Sequence, residues 1–272
     1  MDFQIKRWIS QIIFLISANV GAFGLKTGFC YPFFYCHACP ASHSACPLRA
    51  IETSVFEGSF KWKLFTYPFL ILGTVGIISG RVVCGWACPI GALQRVTGKN
   101  ASALKKKHPK IRNFKLVKYD KYFRYCKYLV LIGLVIITPF LIAFMFTDLC
   151  PVGMITGSFP ILILNPGKYV PNSFFYIALF ILILFFILIL LIERGWCRYF
   201  CPVGAILAPF NKISMVQVSV NKDDCIHCNV CSNVCPMGID VPNMHRDPEC
   251  ILCGKCVKVC PNNLIKFERI HL

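Results

Sequence analysis

Charge is scarce in this chain, and acid is scarcest of all. Only 15% of its 272 residues are charged, with 12 Asp and Glu against 29 Lys and Arg, while 56% are apolar. So little charge excludes an ordinary soluble domain. A cleavable signal peptide is also missing, because the first apolar segment is too long and no A-x-A-like site follows it. Nor are the basic residues spread as a nucleic-acid surface would have them. The net charge of +17 is concentrated in one loop between apolar segments, which points to membrane topology.

Long apolar runs and cysteine are what the chain has in excess. A span takes about 20 apolar residues to cross a hydrocarbon layer of about 30 Å. Four stretches qualify: Trp8–Leu25, Leu64–Gly80, Tyr128–Phe146 and Phe174–Ile192. A fifth, MITGSFPILILNPG, is too short and too broken by Pro and Gly to span, and is read as re-entrant or interfacial. Lys6 and Arg7 precede the first span, the loop Arg81–Lys127 carries thirteen Lys and Arg, and the loop Asp148–Ser173 carries only Lys168. The positive-inside rule then predicts a multi-pass protein of the cell membrane with both termini and the basic loop in the cytoplasm. That loop is either a topology determinant facing anionic lipid heads or a dock for an acidic electron carrier.

Eighteen cysteines sit at short spacings beside these spans. The tail reads CIHCNVCSNVCP and, fifteen residues after its last cysteine, CILCGKCVKVCP. Each is C-x2-C-x2-C-x3-C-P, the bacterial ferredoxin run for a [4Fe–4S] cluster, whose fourth cysteine serves the neighbouring cluster. One cluster is expected on Cys225, Cys228, Cys231 and Cys260, the other on Cys250, Cys253, Cys256 and Cys235. Zinc sites favour cysteine pairs separated by a longer loop, which these runs lack. Asp223, Asp224, Asp247 and Glu249 flank the runs and are read as solvated loop residues.

An internal repeat follows the spans. RVVCGWACPIGAL and RGWCRYFCPVGAI align as R-x2-C-x3-C-P-x-G-A, pairing Arg81 with Arg194, Cys84 with Cys197 and Cys88 with Cys201. Weaker forms are CPLRAI at Cys46 and CPVGMI at Cys150. Proline suits the first turn of a helix, so each preceding cysteine is expected at a helix N-terminus, where the dipole and free N–H groups favour a thiolate. Gly-Ala beyond it would let helices approach closely. Spans one–two and three–four thus read as two copies about an axis along the membrane normal. Cys84, Cys88, Cys197 and Cys201 would meet on the cytoplasmic side and hold a third cluster; redox-active dithiols and zinc are the alternatives. On the outer side Cys36, Cys39, Cys46 and Cys150 would form a fourth set, with Cys30 spare or substituting, and disulfides are the alternative there. His37 and His43 are alternative ligands or polar loop residues. Asp148, Glu52 and His43 are read as structural, or as proton groups for a quinone step. Cys126 is read as a plain buried thiol.

The fold expected is membrane α-helical: four transmembrane helices in two pseudo-symmetric pairs over residues 1–215, then an α+β two-cluster ferredoxin domain over 216–272. Four spans, the twin CGWACP and CRYFCP motifs and the two tail runs together resemble the NapH-type membrane polyferredoxins. The resemblance covers nearly the whole chain from the second span onward. It implies the ferredoxin component of a membrane quinol dehydrogenase, which takes electrons from quinol and passes them toward a reductase system. Two to four [4Fe–4S] clusters are implied, with iron as the metal. The implied partners are other redox subunits, soluble ferredoxin-like carriers and a quinone, not nucleic acid. The broader family includes copper-handling oxidase assembly proteins and regulators of nitrous oxide reduction, so reduction of a metal or of partner thiols is the alternative activity. Room for the regulators' flavin domain, or for the assembly proteins' terminal β-sandwich, is not expected here.

Overall fold

The computed structural model describes residues 3–23, 30–33, 35–36, 42, 46–56, 60–107, 120–164, 173–222 and 224–269. Cys39, His37, His43, Asp223 and residues 108–119 of the basic loop lie outside them. In chain order the helices begin with α1 (Phe3–Ala18), α2 (Pro47–Ser54), α3 (Trp62–Ser79), α4 (Val82–Trp86) and α5 (Pro89–Lys107). They continue with α6 (Asp120–Leu141), α7 (Pro151–Ile163) and α8 (Ser173–Leu191). After them come α9 (Gly195–Tyr199) and α10 (Pro202–Leu207). The tail carries β1 (Val216–Val220), α11 (Val230–Asn233), α12 (Lys255–Val259) and β2 (Ile265–Arg269). Its two strands pair antiparallel, Val216 opposite Arg269 and Val220 opposite Ile265.

Among the described residues three helices, α3, α6 and α8, are long and apolar enough to cross a membrane. The uncharged run of α8 leaves Phe180, Ile183, Leu184 and Ile187 about half exposed. So much contiguous apolar surface is stable against lipid rather than water, which makes this a membrane protein. Helix α1 has 16 residues, or about 24 Å at 1.5 Å per residue, and continues as the short turn Val20–Phe23. The apolar α7 is shorter still, and it packs against α8.

The third span departs from its sequence reading. Helix α6 begins at Asp120, eight residues before the apolar run, because Asp120 pairs with Arg124 and Arg198 and accepts the Tyr199 hydroxyl. Paired charges can sit at the end of a span that hydropathy alone would start later. The helix stops at Leu141, short of Phe146, where Ala143 takes a left-handed φ of 54°. Cys126 on this helix is half-buried rather than buried.

Four Cys-Pro pairs open helices: Cys46 before α2, Cys88 before α5, Cys150 before α7 and Cys201 before α10. Cys46, Cys150 and Cys201 have extended cap conformations, with ψ of 125°, 125° and 113°. The fixed φ of proline is already helical, and its missing N–H costs no bond in a first turn. One core runs from Cys46 and Cys150 past Leu72 and Phe185 to Cys84, Cys88 and Cys201, and on to Ile251 and Cys253 of the tail. A second, under the sheet, gathers Val218, Val241, Leu252 and Ile265.

Candidate metal centres

The tail holds two small cavities. Cys225, Cys228, Cys231 and Cys260 line one; Cys235, Cys250, Cys253 and Cys256 line the other. Each therefore takes three thiols from one run and the pre-proline thiol from the other. The remaining walls are chiefly Val, Ile, Leu, Met and Pro, with no carboxylate among the described residues of either lining. The two runs bend alike: His227 and Asn229 in the first, and Leu252 and Gly254 in the second, all have positive φ, between 46° and 68°. Such left-handed residues beside right-handed ones turn successive N–H groups into one concavity, the nest that cradles iron–sulfur sites. For His227 and Leu252 this conformation carries strain that a glycine would not. Burial is the main cause that pushes the Cys256 thiol up to about 12, and Cys235 and Cys231 are raised mainly by burial too. A ligating thiolate therefore needs a cation to displace its proton.

Beneath the tail the twin motifs cross. Arg81 Nη2 donates to the Cys197 carbonyl at 3.3 Å, and Arg194 Nη1 donates to the Cys84 carbonyl at 2.8 Å. Each motif's arginine thus braces the other motif's cysteine turn. The glycines of C-P-x-G-A make this possible. A Cβ on Gly91 would lie 2.8 Å from the Cys84 carbonyl oxygen and 3.1 Å from Arg194 Nη2; on Gly204 it would lie 3.0 Å from Arg81 Nη2. These glycines therefore admit a guanidinium rather than a second helix. Cys84, Cys88, Cys197 and Cys201 are all buried and within electrostatic reach of one another. Burial, then Cys197 and Cys84, pushes Cys88 up to about 12, and the same causes raise Cys201. Against the rise at Cys201, the Gly204 N–H points at Cys201 Sγ at 3.4 Å. Gln94 Nε2 donates to Cys197 Sγ at 3.1 Å.

The tail seats directly on the first of these motifs. Trp86 Nε1 donates to the Leu252 carbonyl at 3.0 Å, and a Cβ on Gly85 would fall 2.3 Å from the Ile251 carbonyl oxygen. Asn211 takes the Arg81 N–H at 2.7 Å and donates to the Cys250 carbonyl at 2.6 Å. From α1, Arg7 and Gln11 donate to the Gly85 carbonyl at 2.7 and 3.0 Å. Glu249 corrects its sequence reading: it is 8% exposed, pairs with Arg81 at 2.8 Å and also pairs with Lys127. Burial works to raise its pKa, but Arg81 and Lys127 hold it below the ordinary carboxylate value. Asp247 is half-buried and accepts the Glu249 N–H at 2.7 Å; Asp224 is exposed. Spacing along the chain gave no sign of Glu249, whose partners lie 168 and 122 residues away.

At the opposite end of the spans Cys36, Cys46 and Cys150 come together. The Cys46 and Cys150 thiols are raised chiefly by burial, with Cys36 adding to both, and Cys36 Sγ lies 3.6 Å from the Cβ position of Gly153. Helix N-terminal N–H groups of Arg49 and Leu48 lower Cys46, and those of Gly153 and Val152 lower Cys150. Cys30 stands apart, buried, with its N–H donating to the Tyr67 hydroxyl. No described cysteine is in a disulfide. Among the described residues no three His, Cys, Asp or Glu side chains converge on a single-ion position. Thiols ringing a cavity suit a multi-iron cubane better than one tetrahedral ion, whose Zn–S bonds are about 2.3 Å.

Spanning helices with cysteine turns at their ends and a tail of paired four-thiol cavities define a membrane polyferredoxin. The sequence matches the 4Fe-4S binding domain family at residues 66–112 and 174–218, and the 4Fe-4S dicluster domain family at residues 217–261. It is 31% identical over 243 residues to an uncharacterized protein of Methanocaldococcus jannaschii, covering 88% of this chain and 84% of that one. It is 27% identical to the methylamine utilization ferredoxin-type protein MauN of Paracoccus denitrificans, over 59% of this chain and 50% of MauN. It is 25% identical to the ferredoxin-type protein NapH of Escherichia coli, over 70% of this chain and 59% of NapH. No solved structure matches. The chain belongs to the NapH-type membrane polyferredoxins and binds [4Fe–4S] clusters.

Proposed function

We propose that this protein relays electrons between a membrane donor or acceptor and carriers on the cytoplasmic side. Its quartets are Cys225, Cys228, Cys231 and Cys260; Cys250, Cys253, Cys256 and Cys235; and Cys84, Cys88, Cys197 and Cys201. The outer set is Cys36, Cys46 and Cys150 with Cys39. Residues 1–215 form the membrane domain, with α1 as a fourth span and the two halves related as repeats; residues 216–272 form the ferredoxin domain. Both termini face the cytoplasm. A quinone or a partner subunit serves the membrane end, and a soluble ferredoxin-like carrier or redox subunit serves the tail.

The observation that carries this reading is the seating of one tail cavity on the inner motif. Gly85 and Trp86 of that motif meet the backbone of Ile251 and Leu252, which lie between two of that cavity's cysteines. The other cavity opens near exposed Cys228 and Ile226, where an external carrier has access. The resident clusters supply one-electron chemistry, and the chain's buried arginines, N–H groups and apolar walls set their potential. Iron and acid-labile sulfide counted per chain, with EPR of the reduced protein, test the assignment: about 16 irons are expected, and about 8 would remove both membrane sites.

One observation favours a second reading. The outer triad and the inner quartet lie toward opposite ends of the spans, and no described cysteine lies on α3. The reduced clusters then pass electrons to an imported metal or to the disulfide of a partner instead of to a carrier. A deletion strain that loses one metalloenzyme but keeps bulk respiration would favour this over the relay.

A further inference from the structure

A cavity of about 520 Å³ opens beside the outer triad, within the range of about 300–1,000 Å³ usual for ligand pockets. Phe144, Phe174, Phe175 and Ile161 form an apolar wall, and Arg49, Thr147 and Asp148 form a polar one. Cys36 also lines it. Phe174 begins the apolar face of α8, so the cavity adjoins the lipid-facing surface. An aromatic wall opposite a polar one suits a flat, lipid-soluble ring with hydrogen-bonding edges.

Behind Thr147 lies Glu52, fully buried. The Thr147 N–H donates to Glu52 Oε1 at 3.2 Å and its hydroxyl donates to Oε2. Arg49 Nη1 donates to Thr147 Oγ1 at 3.1 Å and to Asp148 Oδ1 at 2.8 Å. From the cavity, the carboxylate is therefore reached through one hydroxyl. The charged and titratable groups around Glu52 are Arg49 of its own helix, Asp148 beyond Thr147, and the Cys46 thiol at the start of α2. Burial raises Glu52 to about 7, against the Thr147 hydrogen bonds and Arg49, while Asp148 adds to the rise. A base with a pKa near the working pH is matched to proton transfer.

We infer that Thr147 and Glu52 form the proton-accepting pair for a hydroquinone-class carrier oxidised in this cavity. The inference rests on the electron-relay reading above. One ring O–H breaks: its proton goes to Thr147 Oγ1 as the Thr147 hydroxyl proton passes to Glu52 Oε2, and one electron goes to the iron–sulfur centre of the outer triad. Glu52 then releases its proton to water past the partly exposed Arg49–Asp148 pair. The second O–H follows the same route, so one hydroquinone yields one quinone, two protons and two single electrons.

The test uses the full cluster-loaded chain in lipid vesicles. A hydrophobic carbodiimide, mapped by mass spectrometry, should label Glu52 more at pH 6 than at pH 8, and decyl-ubiquinone should block the label. Decyl-ubiquinol should reduce the clusters more slowly as pH falls below about 7, about tenfold per unit, because Glu52 is then already protonated. Glu52→Gln should slow that reduction about 100-fold and flatten its pH profile, with Glu52→Asp restoring part of the rate. Thr147→Val should slow it where Thr147→Ser does not, and dithionite should still reduce the clusters in every variant. Labelling of Glu52 unaffected by the quinone, or a Glu52→Gln variant at the wild-type quinol rate, overturns the inference. If dithionite reduces the wild-type clusters and decyl-ubiquinol does not, the cavity assignment falls while the carrier reading stands. If neither reductant does, both fall.

Discussion

The two C-x3-C-P turns share their ends and differ in their middles. Arg81 and Arg194 at the start, and Gly91 and Gly204 at the end, make the same crossed brace. Between the cysteines, the first turn carries Gly85 and Trp86 where the second carries Arg198 and Tyr199. Gly85 and Trp86 receive the tail backbone at Ile251 and Leu252. Arg198 and Tyr199 hold Asp120, the start of α6, and Arg198 also lies against Gly238 of the tail. Arg81 has the carboxylate of Glu249, whereas Arg194 donates to backbone carbonyls. The repeated positions thus hold the cysteines, and the varied ones choose each turn's neighbours: the tail backbone at Ile251 and Leu252 for one, the start of α6 together with the tail at Gly238 for the other.

The largest change expected is from Glu249→Ala. It strands the buried Arg81 and Lys127 charges and should cost about 3–5 kcal/mol. Unfolding in detergent and protease release of the tail would show it, and an unchanged stability would mean that the first turn does not hold the tail through this pair. Gly85→Ala and Gly91→Ala should each cost about 1–3 kcal/mol by overpacking, but at different places. The first pushes the tail off its seat and raises hydrogen exchange around Ile251; the second disturbs the crossed brace. Gly204→Ala should be milder than Gly91→Ala, since its Cβ would meet a guanidinium tip at 3.0 Å and the carbonyl only at 3.5 Å. Equal losses would mean that the two sides of the brace are packed equally tightly, against this difference. Tyr199→Phe should cost a similar amount, about 1.5–3 kcal/mol, for a hydrogen bond to a charged group, and Trp86→Phe the least, about 0.5–1.5 kcal/mol. The first should loosen the tail around Gly238 and the second around Leu252 in hydrogen exchange.

Local spacing carried much of this architecture. C-x2-C-x2-C-x3-C-P implied which thiols share a cavity, because three ligands lie within one short loop and the fourth follows proline. Cys-Pro implied helix starts, because the ring presets φ. What spacing could not carry was anything paid for by distant partners. Glu249 looked like a loop acid because nothing near it in sequence neutralises it. The third span read too late because hydropathy counts Asp120, Arg124 and Lys127 as charges, whereas the fold pairs each of them. The motif glycines invited a helix-packing explanation, since the arginine each admits comes from the other half of the chain. The left-handed turns at His227 and Leu252 had no glycine to announce them.

The placement of cysteine sets toward opposite ends of the spans has an electrical consequence. On the proposed relay, an electron going from one set to the other crosses part of the low-dielectric layer of the membrane. The transmembrane voltage then enters the redox equilibrium directly, at about 2.3 kcal/mol per elementary charge for each 100 mV. Energised and de-energised vesicles should therefore settle at different ratios of reduced outer to reduced inner clusters, so that the protein acts as a capacitor plate pair as well as a conductor.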